Sequence, residues 1–165
     1  MSSSAALSPA IFAWLEAIND GWVKAMNVEF TSASPQEVVA ELSVGPQHKQ
    51  PLGLVHGGVY AGIIETVASV GASIHVFDRG CFAVGLENHT SFLHATREGH
   101  LRAVGRPLQT GRQSHVWEVN VYDDSSRIAA TGRVRLMIIE SGRSLAGRSA
   151  ALEPSADPSS SSQNT

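Results

Sequence analysis

A single carboxylate interrupts the most apolar stretch of the chain. Residues 57–77 read GGVYAGIIETVASVGASIHVF, and Glu65 is the one Asp, Glu, Lys or Arg among them. Burying an ionised carboxylate without a partner costs on the order of several kcal/mol, so such a residue is paired, protonated or used. Directly upstream, Gln50-Pro-Leu-Gly-Leu-Val-His56-Gly57-Gly58 reads as a turn that delivers glycine amides to the start of the same helix. A helix N-terminus presents free N–H groups with partial positive charge, and glycine lets a ligand approach closely. A carboxylate that attacks or activates water, with amides to hold a carbonyl oxygen, is equipment for acyl transfer.

The spacing adds a constraint. Glu65 lies eight residues after Gly57, about 12 Å along a helix axis, so the two cannot reach one carbonyl from the same helix. An antiparallel helix from a second chain solves this by laying its glutamate beside the first chain's glycine. Ser69, four residues past Glu65 on the same face, can orient the carboxylate or a water. Donors from Ser69 and Gln50 are the expected counterweights to burial of the charge. His56 reads as a helix-start residue rather than a base, and Gly57 and Gly58 also have a plain role in forming the turn. His75, His100 and His115 show no ligand spacing, so neither a metal nor a cofactor is expected.

The elements that must position these groups follow from period and punctuation. Ser8-Pro9 is a helix-start signal; Ile11, Trp14, Leu15 and Ile18 then fall at helical spacing until Asn19-Asp20-Gly21 stops them. Residues 23–33 and 37–44 read as strands around a Ser34-Pro35 turn, and 45–54 as a loop. The long helix runs from about Gly57 to Phe77. Strands over 81–93, 100–107, 114–122 and 128–139 are rich in Val, Ile, Phe, Trp and Thr and joined by short turns, which implies antiparallel neighbours. The result is an α+β domain over 23–140, preceded by a segment 1–22 whose first six residues are expected to be mobile. A Ser/Pro-rich tail from 141 is expected to stay unstructured. A helix this apolar all round must be covered on more than one side, which predicts a homodimer at least.

Bulk properties exclude several classes. The 165 residues suit one domain, and only 16% are charged against about 25% in an average protein, which suggests surface covered by another subunit. A formal net charge of −3 gives no basic footprint for nucleic acid. Cys81 is the only cysteine, so no intrachain disulfide or cysteine-based zinc site can form. The apolar run is about as long as a membrane span, but it holds Glu65, His75 and several glycines. A cytoplasmic protein without a membrane segment or secretory signal is the expectation.

The stretch from Gln50 through His56-Gly57-Gly58 to Glu65, with Ser69 one turn on, resembles hotdog-fold acyl-CoA thioesterases of the PaaI-like group. The 4-hydroxybenzoyl-CoA thioesterases of the Arthrobacter type and the 1,4-dihydroxy-2-naphthoyl-CoA thioesterases look most alike. Ala83-Val-Gly85, Asn88-His-Thr-Ser-Phe92, Glu98-Gly-His-Leu-Arg102 and 107–113 extend the likeness over roughly 23–140. The resemblance implies an antiparallel sheet wrapped around the long helix, in dimers that usually pair into a homotetramer. It implies Glu65 as nucleophile or general base, the Gly57 amide as carbonyl polariser, and Gln50, His56 and Ser69 as site residues. It also implies CoA and substrate contacts at Gly58, Gly85, Asn88, Thr90, Ser91, Phe92 and His94, and on the turn Gly111, Arg112, Gln113 and Ser114, where amides and a guanidinium can meet phosphate. Family members often carry an arginine near the Ser91–His94 segment; this chain has Leu93-His94. Ala61, Ile64 and Ala68 around Glu65 suggest an apolar acyl pocket, with an aromatic acyl group favoured by the resemblance. The alternatives are a hotdog hydratase or dehydratase, against which the carboxylate two turns inside the helix argues, and a non-catalytic acyl-CoA binding module.

Overall fold

The computed structural model describes residues 9–18 and 20–149. Two short helices, α1 (Pro9–Ala17) and α2 (Gly21–Ala25), precede strands β1 (Glu29–Ala33) and β2 (Val38–Ser43). The long helix α3 (Gly57–Val76) follows, then β3 (Cys81–Phe92), β4 (His100–Thr110), β5 (Ser114–Tyr122) and β6 (Ile128–Glu140). The six strands form one fully antiparallel sheet in the order β1-β2-β4-β5-β6-β3. It wraps α3, which at 20 residues is about 30 Å long. This is the hotdog layout.

Period-two burial drives the sheet onto the helix. In β5 the buried positions are His115, Trp117, Val119 and Val121, with half-buried residues between them. Trp117 is fully buried, and its ring occupies the space a Cβ at Gly71 of α3 would need. Val38, Ile63, Ile64, Val67, Leu101, Val134 and Leu136 complete the same core. By length and composition α3 and the turn after it could cross a membrane, but 67% of the most apolar window is buried inside the chain, as in the core helix of a soluble protein.

Three expectations change. Residues 23–25 belong to α2 rather than to a strand. Asn27 takes a left-handed conformation (φ 49°) and the Val28 N–H returns to the Val23 carbonyl at 3.0 Å, a Schellman-type stop that delays β1 to Glu29. Strand β4 continues past Pro107 to Thr110 through a bulge between Pro107 and Gln109. Within the segment expected to be unstructured, β7 (Ser144–Leu145) pairs with β8 (Arg148–Ser149). The segment 1–6, Ser8 and the remaining tail 150–165 lie outside the described residues.

β3 ends the sheet and pairs only with β6 among the described residues. Its free side is long, and Leu86 (50% exposed) and Phe92 (59% exposed) lie on it without full cover.

Candidate active site

The loop before α3 is built to hold its first turn in place. His48 is fully buried; its Nδ1 accepts from the Gly45 N–H (2.8 Å), so its Nε2 carries the proton and donates to the Met26 carbonyl (2.9 Å). The His48 carbonyl in turn accepts from the His56 N–H at 2.8 Å. Between them the chain doubles back: the Gln50 N–H donates to the Leu54 carbonyl, and Gly53 sits at φ 75°. The Leu52 N–H donates to Gln50 Oε1 at 3.1 Å, which leaves the Gln50 amide NH2 as the group available to a ligand.

At the helix start the free amides are shared out. His56 is the N-cap, its Nδ1 accepting from the Gly58 N–H at 2.8 Å, and its carbonyl takes the Val59 N–H at 2.9 Å. The Gly57 N–H has no partner among the described residues. A cleft of about 560 Å³ lies here, lined by Gln50, His56, Gly57, Tyr60, Phe92 and His94 among others. Phe92 packs on the Gly57 Cα, where any Cβ would come within 2.8 Å of the ring, and tilts against Tyr60 with centroids 6.1 Å apart. Burial pushes the Tyr60 phenol above its ordinary value, so it stays a neutral wall. His94 donates Nδ1–H to the Ile128 carbonyl (2.9 Å), which leaves Nε2 as an acceptor.

Glu65 is half-buried two turns inside α3, and β3 holds it. Asn88 Nδ2 donates to Glu65 Oε2 and to the Ala61 carbonyl, both at 3.0 Å. The Thr90 hydroxyl donates to Asn88 Oδ1 at 2.7 Å, which fixes the amide with its NH2 toward the carboxylate. The other carboxylate oxygen lies over Gly85, in the space a Cβ there would fill. A bulge at Leu86 makes this possible. Gly85 pairs with Leu136 and Asn88 with Val134, so both face inward although three residues apart. In a regular strand, positions three apart face opposite sides.

The expected residues thus fall into three groups along α3. Gln50, His56, Gly57, Gly58, Phe92 and His94 gather at its N-terminus; Glu65, Gly85, Asn88 and Thr90 at its middle. Gly111, Arg112, Gln113 and Ser114 form the β4–β5 turn, closed by the Gly111 N–H on the Ser114 carbonyl at 2.9 Å. Arg112 and Gln113 line a cleft of about 630 Å³ near the C-terminal end of α3, with Arg79, Glu140 and Arg143. Ser91 is half-buried beside Thr131 in β3.

Some roles move. Ser69 is half-buried on the Glu65 side of the helix, but its hydroxyl takes no partner among the described residues, and Asn88 orients the carboxylate instead. Ile64 and Ala68 are fully buried in the core, so they do not wall an acyl pocket. Sequence reasoning overlooked His48, whose only signal was a histidine just ahead of the turn. It also passed over Trp22, which lies against α3 at Gly62. Among the described residues no group of three or more His, Cys, Asp or Glu could hold a metal.

The Thioesterase superfamily profile matches residues 52–130. Rv1847 of Mycobacterium tuberculosis is 36% identical over 117 residues, 70% of this chain and 84% of that protein. The proofreading thioesterase EntH of Cronobacter sakazakii is 33% identical over 129 residues, 76% of this chain and 93% of its own length. Among solved structures, thioesterase HI1161 of Haemophilus influenzae superposes with a TM-score of 0.75 at 23% identity, covering 85% of this chain and 96% of that one, a likeness of fold. Taken with the helix-borne carboxylate and the open amide ahead of it, these likenesses make the chain a member of the thioesterase superfamily, a thioester hydrolase with the hotdog fold.

Proposed function

We propose that the chain hydrolyses an acyl-CoA thioester, its acyl group aromatic, to the free acid and CoA. Glu65 acts on the thioester carbonyl, either by attack that expels the CoA thiolate and leaves an anhydride for water to open, or by taking a proton from the attacking water. The Gly57 N–H of a second subunit, with its Gln50, holds the carbonyl oxygen as negative charge builds on it. One observation carries this reading: the unpartnered Gly57 N–H and the held Glu65 carboxylate stand about 12 Å apart in one chain. Only an antiparallel copy brings one of each together.

The free side of β3 supports such a copy, because an unpaired edge is a template for another strand. β3 runs antiparallel to its own α3, so antiparallel pairing of the two β3 edges would set the two helices antiparallel as well. Two such dimers form the tetramer. In this reading the Arg112 turn and His94 are CoA contacts. The cytoplasm is the proposed compartment, in keeping with one cysteine that lies buried and unpaired.

The test is thiol release across aromatic, short, medium and long acyl-CoAs, with wild type and Glu65→Gln. Fast release on the aromatic members, cut in the variant by on the order of 10³-fold, is the expected result. A folded oligomer inactive on every member sinks the acyl-CoA assignment.

A further inference from the structure

Among the described residues from Val59 to Val76, α3 is buried except for one stripe of half-buried positions, Ala61, Gly62, Glu65, Thr66 and Ser69, and the exposed His75 near its end. Two features flank that stripe. On one side stands β3, with Asn88 bonded to Ala61 and Glu65. On the other stands Trp22 of α2, whose six-membered ring lies over the Gly62 Cα in the space a Cβ would occupy. Gly62 is the only position of the stripe that lets the indole down onto the helix. Glu65 follows three residues later, about 4.5 Å along the axis and about 60° round it.

Trp22 is nonetheless 38% exposed. An indole packed on a glycine and still open to solvent keeps apolar surface beside the carboxylate. Of the apolar neighbours of Glu65, Ile64 and Ala68 turn into the core, and only the small Ala61 stays on the stripe. The floor between the two flanks therefore offers a carboxylate, the Thr66 and Ser69 hydroxyls, one methyl group and one flat aromatic wall.

We infer that Trp22 is a specificity-determining residue, the wall on which the acyl group of the thioester lies. The inference rests on Glu65 as the reacting carboxylate. A thioester carbonyl at Glu65 places the first atoms of its acyl group over the Gly62–Ser69 stripe, within reach of the indole. A planar ring conjugated to that carbonyl stacks on the indole in an offset arrangement, and a saturated chain gains only contact area. The wall is supported from behind, because Met26 at the end of α2 is held through its carbonyl by the buried His48.

The test compares kcat/KM for benzoyl-CoA and hexanoyl-CoA in wild type, Trp22→Phe, Trp22→Ala and Gly62→Ala, with oligomeric mass measured for each. Trp22→Ala is expected to lower the benzoyl-to-hexanoyl ratio about three- to tenfold, and Trp22→Phe to keep most of it. Gly62→Ala is a better helix former and lifts the indole without removing it, so it keeps the test alive should Trp22→Ala fail to fold; it is expected to shift the same ratio. An unchanged ratio, or equal loss on both substrates with a change in mass, overturns the inference and makes Trp22 a packing residue. Glu65→Gln separates the underlying reading. If that variant hydrolyses both substrates normally, the carboxylate assignment has failed, whatever Trp22 does to the ratio.

Discussion

Asn88 Nδ2 lies 3.0 Å from Glu65 Oε2, and the two residues belong to different layers of the fold. The amide spends one hydrogen on the carboxylate and the other on the Ala61 carbonyl, while Thr90 occupies its oxygen. Every polar atom of Asn88 thus serves to aim one oxygen of Glu65. Replacing Asn88 with Ala is expected to lower kcat about 10- to 100-fold, the range for losing a hydrogen bond to a charged group. KM should move much less, because the lost contact orients the carboxylate proposed to react. Steady-state kinetics with unchanged melting temperature would check this; a change in KM alone would make Asn88 a substrate contact.

Gly85 gives the complementary experiment from the other oxygen. A methyl group there collides with the carboxylate, whereas alanine suits a strand better than glycine. Gly85→Ala should keep or raise the melting temperature and still lose most of kcat. Calorimetry and kinetics on one preparation separate the two effects. Full activity would mean that Glu65 reacts from a different rotamer.

Shared sites make a quantitative claim. Equal amounts of Glu65→Gln and Gln50→Ala subunits, allowed to exchange, form half mixed dimers by chance. Each mixed dimer has one intact site, so about a quarter of wild-type activity should return. Exchange is followed by native mass spectrometry. No recovery with exchange established would place the Gln50 and Glu65 of each site in one chain.

His115 ties stability to pH. It is buried beside His75, their rings edge to face at 5.1 Å. Burial first, then the neighbouring His75 and Arg79, pushes its pKa down to about 4 from an ordinary 6.5. Above about pH 6.5 the ring is neutral in both folded and unfolded chains. Between 6.5 and 4 the unfolded chain takes a proton that the folded one refuses, so stability falls as pH falls, by up to about 3 kcal/mol. Denaturant midpoints at pH 7.5 and 4.5 should differ by less in His115→Phe than in wild type. Equal slopes would mean that other groups carry the effect.

The parts legible in the sequence were those governed by period and punctuation. The long helix ended within a residue of its expected boundary, and strands β5 and β6 emerged at their expected places. The Gln50–Gly57 turn and Glu65 were recognisable because charge and glycine stand out against an apolar run. What stayed hidden depended on faces. Nothing local marks the Leu86 bulge, yet it alone turns Gly85 and Asn88 to the same side. Ile64 and Ala68 flank Glu65 in sequence, but a helix turns about 100° per residue and carries both into the core. Residues 23–25 read as the start of a strand, but they belong to the short helix that carries Trp22 and that Asn27 stops.

His48 acquires a wider meaning once both ends of its grip are followed. One nitrogen anchors the end of α2, which carries Trp22; the other, with the residue's own carbonyl, anchors the loop that sets Gln50 and the Gly57 amide. In the proposed cross-subunit arrangement the indole flanks a chain's own Glu65, and the amide serves its partner's. On that proposal a single buried imidazole would couple the fit of one acyl group to the polarisation of the other, as a strut common to the two reaction centres of a dimer.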